Sequence, residues 1–244
     1  MMSKIKSLVK NPLQHIQKVK IGLSRKLNQI QDDNFIGFDK YEKYGAYHWE
    51  SLDSEEYKGR VEVIAPYLSK QSLCLDIGCG DGAYMHALSS QCKAIVGIDA
   101  DYDAVRLANA KLKENQIGNC QCFHVPISKA YRKLKPIGKF HVIYSMDVIE
   151  HLPNPVELLS MTMQLVQPQG VIMIGTPTFV SKEMVSPYHV KEFTSQEMQE
   201  LLSPYFKIER EILLPAKRLD GKVYAEGFYI GVCVLRGDSK DAKS

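Results

Sequence analysis

The chain has 244 residues, of which 45% are hydrophobic and 24% charged, and its formal net charge is +3. That length and balance suit a globular protein with a substantial core and exclude the disordered and fibrous classes. No apolar run reaches the roughly 18 residues of a membrane span, and the N-terminus lacks the compact apolar core of a secretory signal.

The charge is unevenly spread. Residues 1–31 carry seven basic side chains (Lys4, Lys6, Lys10, Lys18, Lys20, Arg25 and Lys26) and no acidic ones, which leaves 24 basic and 28 acidic residues beyond them. Ile5, Leu8, Val9, Leu13, Ile16, Val19, Leu23, Leu27 and Ile30 recur at steps of three and four, so residues 5–30 are predicted to be amphipathic helix, divided at Pro12. Three roles are open for this basic arm: a cover on the domain, a helix lying on an anionic membrane surface, or a nucleic-acid contact. The absence of interleaved aromatics weighs against the last. Residues 34–50 are rich in aromatics, including Tyr41, Tyr44, Tyr47, His48 and Trp49, which either close over a ligand or fill a groove.

Residues 54–69 are expected to form a helix, and from residue 72 strands and helices alternate. Strands are predicted at 73–77, 94–98, 120–125, 140–145 and 171–175, with helices at 83–88, 103–113 and 155–166, the last capped by Asn154 with Pro155 in its first turn. Thr194 and Glu197 form a capping box ahead of another helix. Strands at 206–214 and 226–235, joined by a short connection, are expected to make an antiparallel hairpin. Such alternation implies a doubly wound α/β sheet covered on both faces. The expected organisation is a helical extension over 1–53, the α/β domain over 54–236 and a disordered tail over 237–244.

The six cysteines lie mostly in apolar strand-like stretches and form no CxxC pair. They are read as reduced, in a cytoplasmic protein without a thiolate zinc site.

The sharpest signal is Leu75-Asp76-Ile77-Gly78-Cys79-Gly80-Asp81-Gly82, a glycine loop between the first strand and its helix. Open α/β sheets bind ligands at that end of the strands, and glycines let the backbone approach a ligand closely. With Ala83 the loop also satisfies G-x-G-x-x-A, so a dinucleotide oxidoreductase has to be weighed. Asp76 and Asp81 would repel a pyrophosphate, whereas a ligand bearing an ammonium and a sulfonium, as S-adenosylmethionine does, would be attracted. Asp99 ends the second strand 21 residues after Gly78, near the spacing at which such folds present an acid to ribose hydroxyls.

These residues resemble the class I S-adenosylmethionine-dependent methyltransferases, over about residues 60–235. The resemblance implies a Rossmann-like seven-stranded sheet of order 3-2-1-4-5-7-6 with the last strand antiparallel. It further implies a methionine site lined by Asp76, Gly78, Cys79 and Gly80, with Asp99 on the ribose and Ala100 and Asp101 near the adenosine. Ser145 and Met146, at the end of the fourth strand, are expected beside the cofactor. Val125 to Ser128 offers no carboxylate to the adenine, where many members place one.

Ser145-Met146-Asp147-Val148-Ile149-Glu150-His151-Leu152-Pro153 is similar to a stretch of the ubiquinone-biosynthesis O-methyltransferases and the type 11 and 23 methyltransferase domains. It also resembles the small-RNA 3′-end 2′-O-methyltransferases. By that resemblance Asp147, Glu150, His151 and His189 are candidate ligands of a divalent metal. Without a metal, His151 or His189 is the candidate general base. The expected reaction is O-methylation of a small-molecule, lipid-linked or glycan acceptor. RNA 2′-O-methylation is the alternative within the class, and a nicotinamide oxidoreductase or a catalytically idle adaptor the alternatives outside it.

Overall fold

A computed structural model describes residues 40–236. The basic arm over residues 1–30 and the tail over 237–244, with their membrane, nucleic-acid and disorder readings, lie outside the described residues.

Seven strands form one sheet in the order β3-β2-β1-β4-β5-β7-β6. They are β1 (Leu73–Ile77), β2 (Ala94–Asp99), β3 (Cys120–His124), β4 (Phe140–Met146), β5 (Val166–Pro177), β6 (Phe206–Lys217) and β7 (Val223–Leu235). The pairings from β3 to β5 are parallel, and β7 runs antiparallel to both β5 and β6. The predicted order and hairpin are both found.

Side chains alternate faces along a strand, and here both faces are apolar, as a sheet covered on both sides requires. Leu75 and Ile77 of β1, Val96 and Ile98 of β2, Ile143 of β4 and Ile172 and Ile174 of β5 belong to one core. That core is closed by α6 (Ile127–Leu134), α7 (Pro155–Leu165) and α8 (Ser195–Leu202), through Ala130, Leu134, Leu158, Leu159, Met198 and Leu202. Cys74, Ile95, Val142, Tyr144 and Met173 face the other way. They meet α3 (Glu55–Ile64), α4 (Ala83–Leu88) and α5 (Tyr102–Glu114) through Tyr57, Ile64, Met85, Leu88, Val105 and Leu112. All six cysteines are unpaired, and five are buried.

Three local expectations are corrected. The sequence reading places no helix between residues 125 and 139, yet Ile127, Ala130, Tyr131 and Leu134 have helical spacing and form α6, entered from Pro126. Asn154 precedes α7 as predicted, but its side chain makes no capping hydrogen bond there. Strand β5 is twelve residues long and starts at Val166, ahead of Pro168 and Gly170, with a register irregularity against β4 between Phe140 and Val142.

The short helices α1 (Lys40–Tyr44) and α2 (Tyr47–Glu50) precede α3. The described part of the predicted extension, residues 40–53, is tied to the domain: His48 N–H donates to Asp81 Oδ2 at 2.9 Å, and the Trp49 indole N–H donates to the Asp81 carbonyl at 2.6 Å. Among the described residues no helix is long and apolar enough to cross a membrane.

The capping box is present in full: Glu197 N–H donates to Thr194 Oγ1 at 3.1 Å and Thr194 N–H to Glu197 Oε2 at 2.8 Å. Thr194→Ala is expected to lower stability by about 1 kcal/mol, read as a lower urea midpoint with an unchanged m-value.

Candidate active site

The glycine loop is held from below and from the side. Gly78 N–H and Cys79 N–H both donate to the Ile98 carbonyl, at 2.8 and 3.0 Å. Asp99 uses both carboxylate oxygens on backbone, accepting from Gly80 N–H at 2.9 Å and Asp101 N–H at 2.8 Å. Gly78 and Gly80 have φ of +74° and +52°, which L side chains rarely adopt. A Cβ on Gly80 would also collide with the Tyr41 hydroxyl, which lies directly over the loop.

Three carboxylates gather at this end of the sheet. Asp76 and Asp81 are buried, and Asp76 Oδ2 and Asp81 Oδ1 have no hydrogen-bond partner among the described residues. Burial lifts Asp76 well above the ordinary carboxylate range, with Asp99 adding to it. Burial likewise raises Asp81 to about 7, opposed by the backbone N–H groups it accepts, and Asp99 to about 6. Buried carboxylates lacking partners are costly unless a cation neutralises them. An ammonium or a sulfonium at the loop would favour the ionised form of these groups, and a pyrophosphate would favour the protonated form.

Above the loop a cavity of about 400 Å³ opens, within the usual size of ligand sites, about 300–1,000 Å³. Its roof is aromatic: Tyr41 and Tyr47 pack with ring centroids 5.3 Å apart, Tyr47 and His48 at 3.9 Å, and Tyr57 stacks on Tyr84 at 4.8 Å. His48 Nδ1 is hydrogen-bonded to the Tyr57 hydroxyl, and burial lowers its pKa to about 4. The far wall is Met146, Asp147, Glu150, His151 and His189.

Asp147 turns the chain at the end of β4 with φ of +56°, its N–H bonded to the Gly175 carbonyl at 3.1 Å. The turn Ile149–His151 follows and aims Glu150 and His151 inward. The distant segment carrying His189 is clamped there by backbone: Val190 N–H donates to the Glu150 carbonyl at 2.8 Å, and His151 Nδ1 to the Tyr188 carbonyl at 2.8 Å. The His151 and His189 rings meet edge to face, centroids 4.8 Å apart.

One ligand atom each from Glu150, His151 and His189 lie within 4.8 Å of one another, a set able to hold a metal ion. Glu150 is fully buried. Thr176 Oγ1 donates to its Oε2 at 2.9 Å, while Oε1 has no hydrogen-bond partner among the described residues. Burial, with Asp147 adding to it, raises Glu150 to about 8. Burial also lowers His151 to about 4.

The fourth predicted ligand is diverted. Asp147 Oδ2 is bound by Arg60 Nη1 at 2.5 Å, so its carboxylate stands outside the trio. Arg60 is buried, lies 3.7 Å over the Phe228 ring and also donates to the Tyr84 hydroxyl at 3.2 Å. Arg60 is a site residue that the sequence alone does not single out. Its one signal is a charge on the buried stripe Tyr57, Arg60, Ile64 of α3.

Two predicted cofactor residues spend their side chains on the fold. Ser145 is buried and donates to the Ile77 carbonyl at 3.1 Å, pinning β4 to β1. The Asp101 carboxylate caps α5, accepting from Asp103 and Ala104 N–H. The Ala100 carbonyl faces His124, 3.0 Å from Nε2. Gly78, Cys79, Gly80 and Met146 line the cavity, whereas Asp76 and Asp99 lie behind the loop.

The sheet order, with an antiparallel strand inserted before the edge, is the Rossmann-like fold that this chain shares with solved S-adenosylmethionine-dependent methyltransferases. Residues 75–172 match the family described as a methyltransferase domain. The chain is 29% identical over 116 residues to the ubiquinone biosynthesis O-methyltransferase of Thiobacillus denitrificans, an overlap of 48% of each protein. It thus spans about half the length of the curated relatives it matches. A SAM dependent methyltransferase from Aquifex aeolicus superposes with a TM-score of 0.61 at 15% identity, over 78% of this chain and 98% of the other. The N-methyltransferase NodS from Bradyrhizobium japonicum, in complex with S-adenosyl-L-homocysteine, gives 0.61 at 14% identity, over 88% and 98%. At those identities the shared feature is the fold.

The raised carboxylates set a pH dependence. Asp81 and Asp99 bind protons more tightly folded than unfolded, so their contribution to stability is complete below about pH 4 and is lost as pH rises through 6–7. A cationic ligand has the opposite preference, because it binds the ionised forms. The affinity for S-adenosylmethionine, measured by calorimetry, should therefore rise several-fold from pH 5.5 to 8, and Asp81→Asn should flatten that rise. A pH-independent affinity would contradict the electrostatic account.

Proposed function

We propose that this protein transfers the methyl group of S-adenosylmethionine to a hydroxyl oxygen of a small-molecule, lipid-linked or glycan acceptor. The carrying observation is one cavity with two ends: the glycine loop with the buried Asp81 carboxyl beside it, and Glu150, His151 and His189 on the facing wall. The likeness to ubiquinone biosynthesis O-methyltransferases supports oxygen as the acceptor atom.

In this reading the backbone of Gly78 and Gly80 lets the donor approach closely, and Asp76 and Asp81 neutralise its positive charge. Asp99, already braced by Gly80 and Asp101, holds a ribose hydroxyl. Tyr41, Tyr47 and His48 form a roof that keeps water from the reacting groups. The bound donor supplies an electrophilic methyl carbon on sulfur and leaves as S-adenosylhomocysteine. Glu150, His151 and His189 orient the acceptor hydroxyl and take up its proton as the new carbon–oxygen bond forms.

The same trio supports a metal-assisted version. One carboxylate with two imidazoles is a donor set for a borderline divalent ion. The unpartnered Oε1 of Glu150, 4.0 Å from His151 Nε2, fits such an ion. Bound there, an ion would lower the pKa of an acceptor hydroxyl.

Labelled-methyl transfer from S-adenosylmethionine to panels of phenols, lipid-linked phenols, glycans and RNA tests the reading. Methylation of a hydroxyl acceptor is expected. His151→Ala and His189→Ala should each reduce turnover about 100-fold or more while S-adenosylhomocysteine affinity stays within about 3-fold. Tight S-adenosylmethionine binding with no transfer to any hydroxyl would overturn the proposal in favour of an idle adaptor or another acceptor atom.

Saturating S-adenosylhomocysteine, at 100 times its dissociation constant, should add about 2.7 kcal/mol of stability. Nicotinamide dinucleotide should add none, and thermal unfolding compares the two.

A further inference from the structure

Behind His189, away from the cavity, lies a buried ion pair that the proposed chemistry does not touch. Glu192 Oε1 lies 2.8 Å from His189 Nδ1, and Glu192 Oε2 accepts from Arg218 Nη1 at 3.1 Å. Both charged side chains are nearly sealed from solvent, at 1% and 6% exposure. Glu192 comes from the segment leading into α8, while Arg218 follows β6, so the pair bolts two distant parts of the chain together at one imidazole.

A carboxylate accepts only, so the hydrogen on this bond belongs to His189 Nδ1 and the lone pair of a neutral ring belongs to Nε2. Partners behind a ligating histidine fix its tautomer and ring orientation in this way. His151 repeats the pattern with a different acceptor, its Nδ1 lying 2.8 Å from the Tyr188 carbonyl. The third group is braced as well, Glu150 through Thr176.

We infer that Glu192, clamped by Arg218, is a positioning residue that fixes His189 as the Nδ1–H tautomer with Nε2 directed to Glu150 and His151, giving a pre-set site for a divalent transition-metal ion. The inference rests on the metal-assisted form of the function proposed above. The ion pair acts only through His189, since neither Glu192 nor Arg218 lines the cavity. Its burial is then the means by which the carboxylate is held in one orientation.

The test uses the full chain titrated with Co²⁺, read by its visible absorption, with S-adenosylhomocysteine affinity measured on the same preparations. The unsubstituted protein should bind Co²⁺ saturably, and His189→Ala should abolish binding. A double variant, Glu192→Leu with Arg218→Met, removes both buried charges together and so strands neither. It should bind Co²⁺ 10–100-fold more weakly with S-adenosylhomocysteine affinity unchanged. Glu192→Gln retains an acceptor oxygen for Nδ1–H and should recover most of the loss. Undiminished Co²⁺ affinity in the double variant overturns the positioning role. Absence of Co²⁺ binding in unsubstituted protein that holds S-adenosylhomocysteine overturns the metal reading and this inference, while leaving the methyl-transfer reading intact. Should the double variant fail to fold, imidazole ¹⁵N shifts of the unsubstituted protein decide: His189 protonated on Nδ1 supports the assignment, and an Nε2–H tautomer overturns it.

Discussion

The structure turns on the burial of carboxyl groups at the carboxyl end of β1 and β2, where desolvation works against their ionisation. Asp76 sits in the middle of the sheet, paired across to Gly97 on one side and Tyr144 on the other, with one oxygen lacking a hydrogen-bond partner among the described residues. Such a group is expensive to keep in a protein interior. The nearby Asp81 has an unpartnered oxygen too, and Asp99 sits close enough to raise the pKa of Asp76 further. The backbone N–H groups that reach Asp81 and Asp99 offset part of the cost, and a positively charged ligand offsets more. The glycine loop, the aromatic roof and the cavity between them are arranged around that electrostatic requirement.

The second constraint is backbone clamping on the opposite wall. His189 is 38 positions from His151, and helix α7 and strand β5 lie between them. Nothing local brings the two rings together. The Glu150 carbonyl accepts from Val190 N–H, the Tyr188 carbonyl lies 2.8 Å from His151 Nδ1, and Asp147 adopts a left-handed conformation so that the intervening turn faces inward. Asp147 pairs with Arg60, and the donors that lie close together are Glu150, His151 and His189. The trio is a product of main-chain hydrogen bonds, with side-chain type deciding only what the assembled atoms can do.

Much of the fold was legible because its signals are local. Strand β1 matches residue for residue, the Thr194–Glu197 box closes as read, and each face of the sheet follows from alternation along β1, β2 and β4. The misses are places where tertiary context overrides a local cue. The expected strand starts at residue 171, yet β5 begins at Val166 and takes in Pro168 and Gly170, where register against β4 is irregular. The side chains of Ser145 and Asp101, expected beside a cofactor, bond to the Ile77 carbonyl and the first turn of α5, contacts that the sequence does not show. Arg60 was beyond reach because its meaning comes from Asp147, 87 residues later. The same holds for Glu192 and Arg218, ordinary surface-type residues until the sheet places them behind His189.

The placement of β7 bears on how the chain comes together as it is made. β6 is synthesised first, yet within the sheet it touches only β7, which itself lies between β5 and β6. Until residues 223–235 have emerged from the ribosome, the apolar edge of β5 from Val171 to Pro177 has no strand beside it, and β6 has nothing to join. A nascent chain stopped at β6 therefore carries an open strand edge next to the wall that holds Thr176, the residue bracing Glu150. An unpaired strand edge of this kind is prone to pair with other chains until β7 covers it.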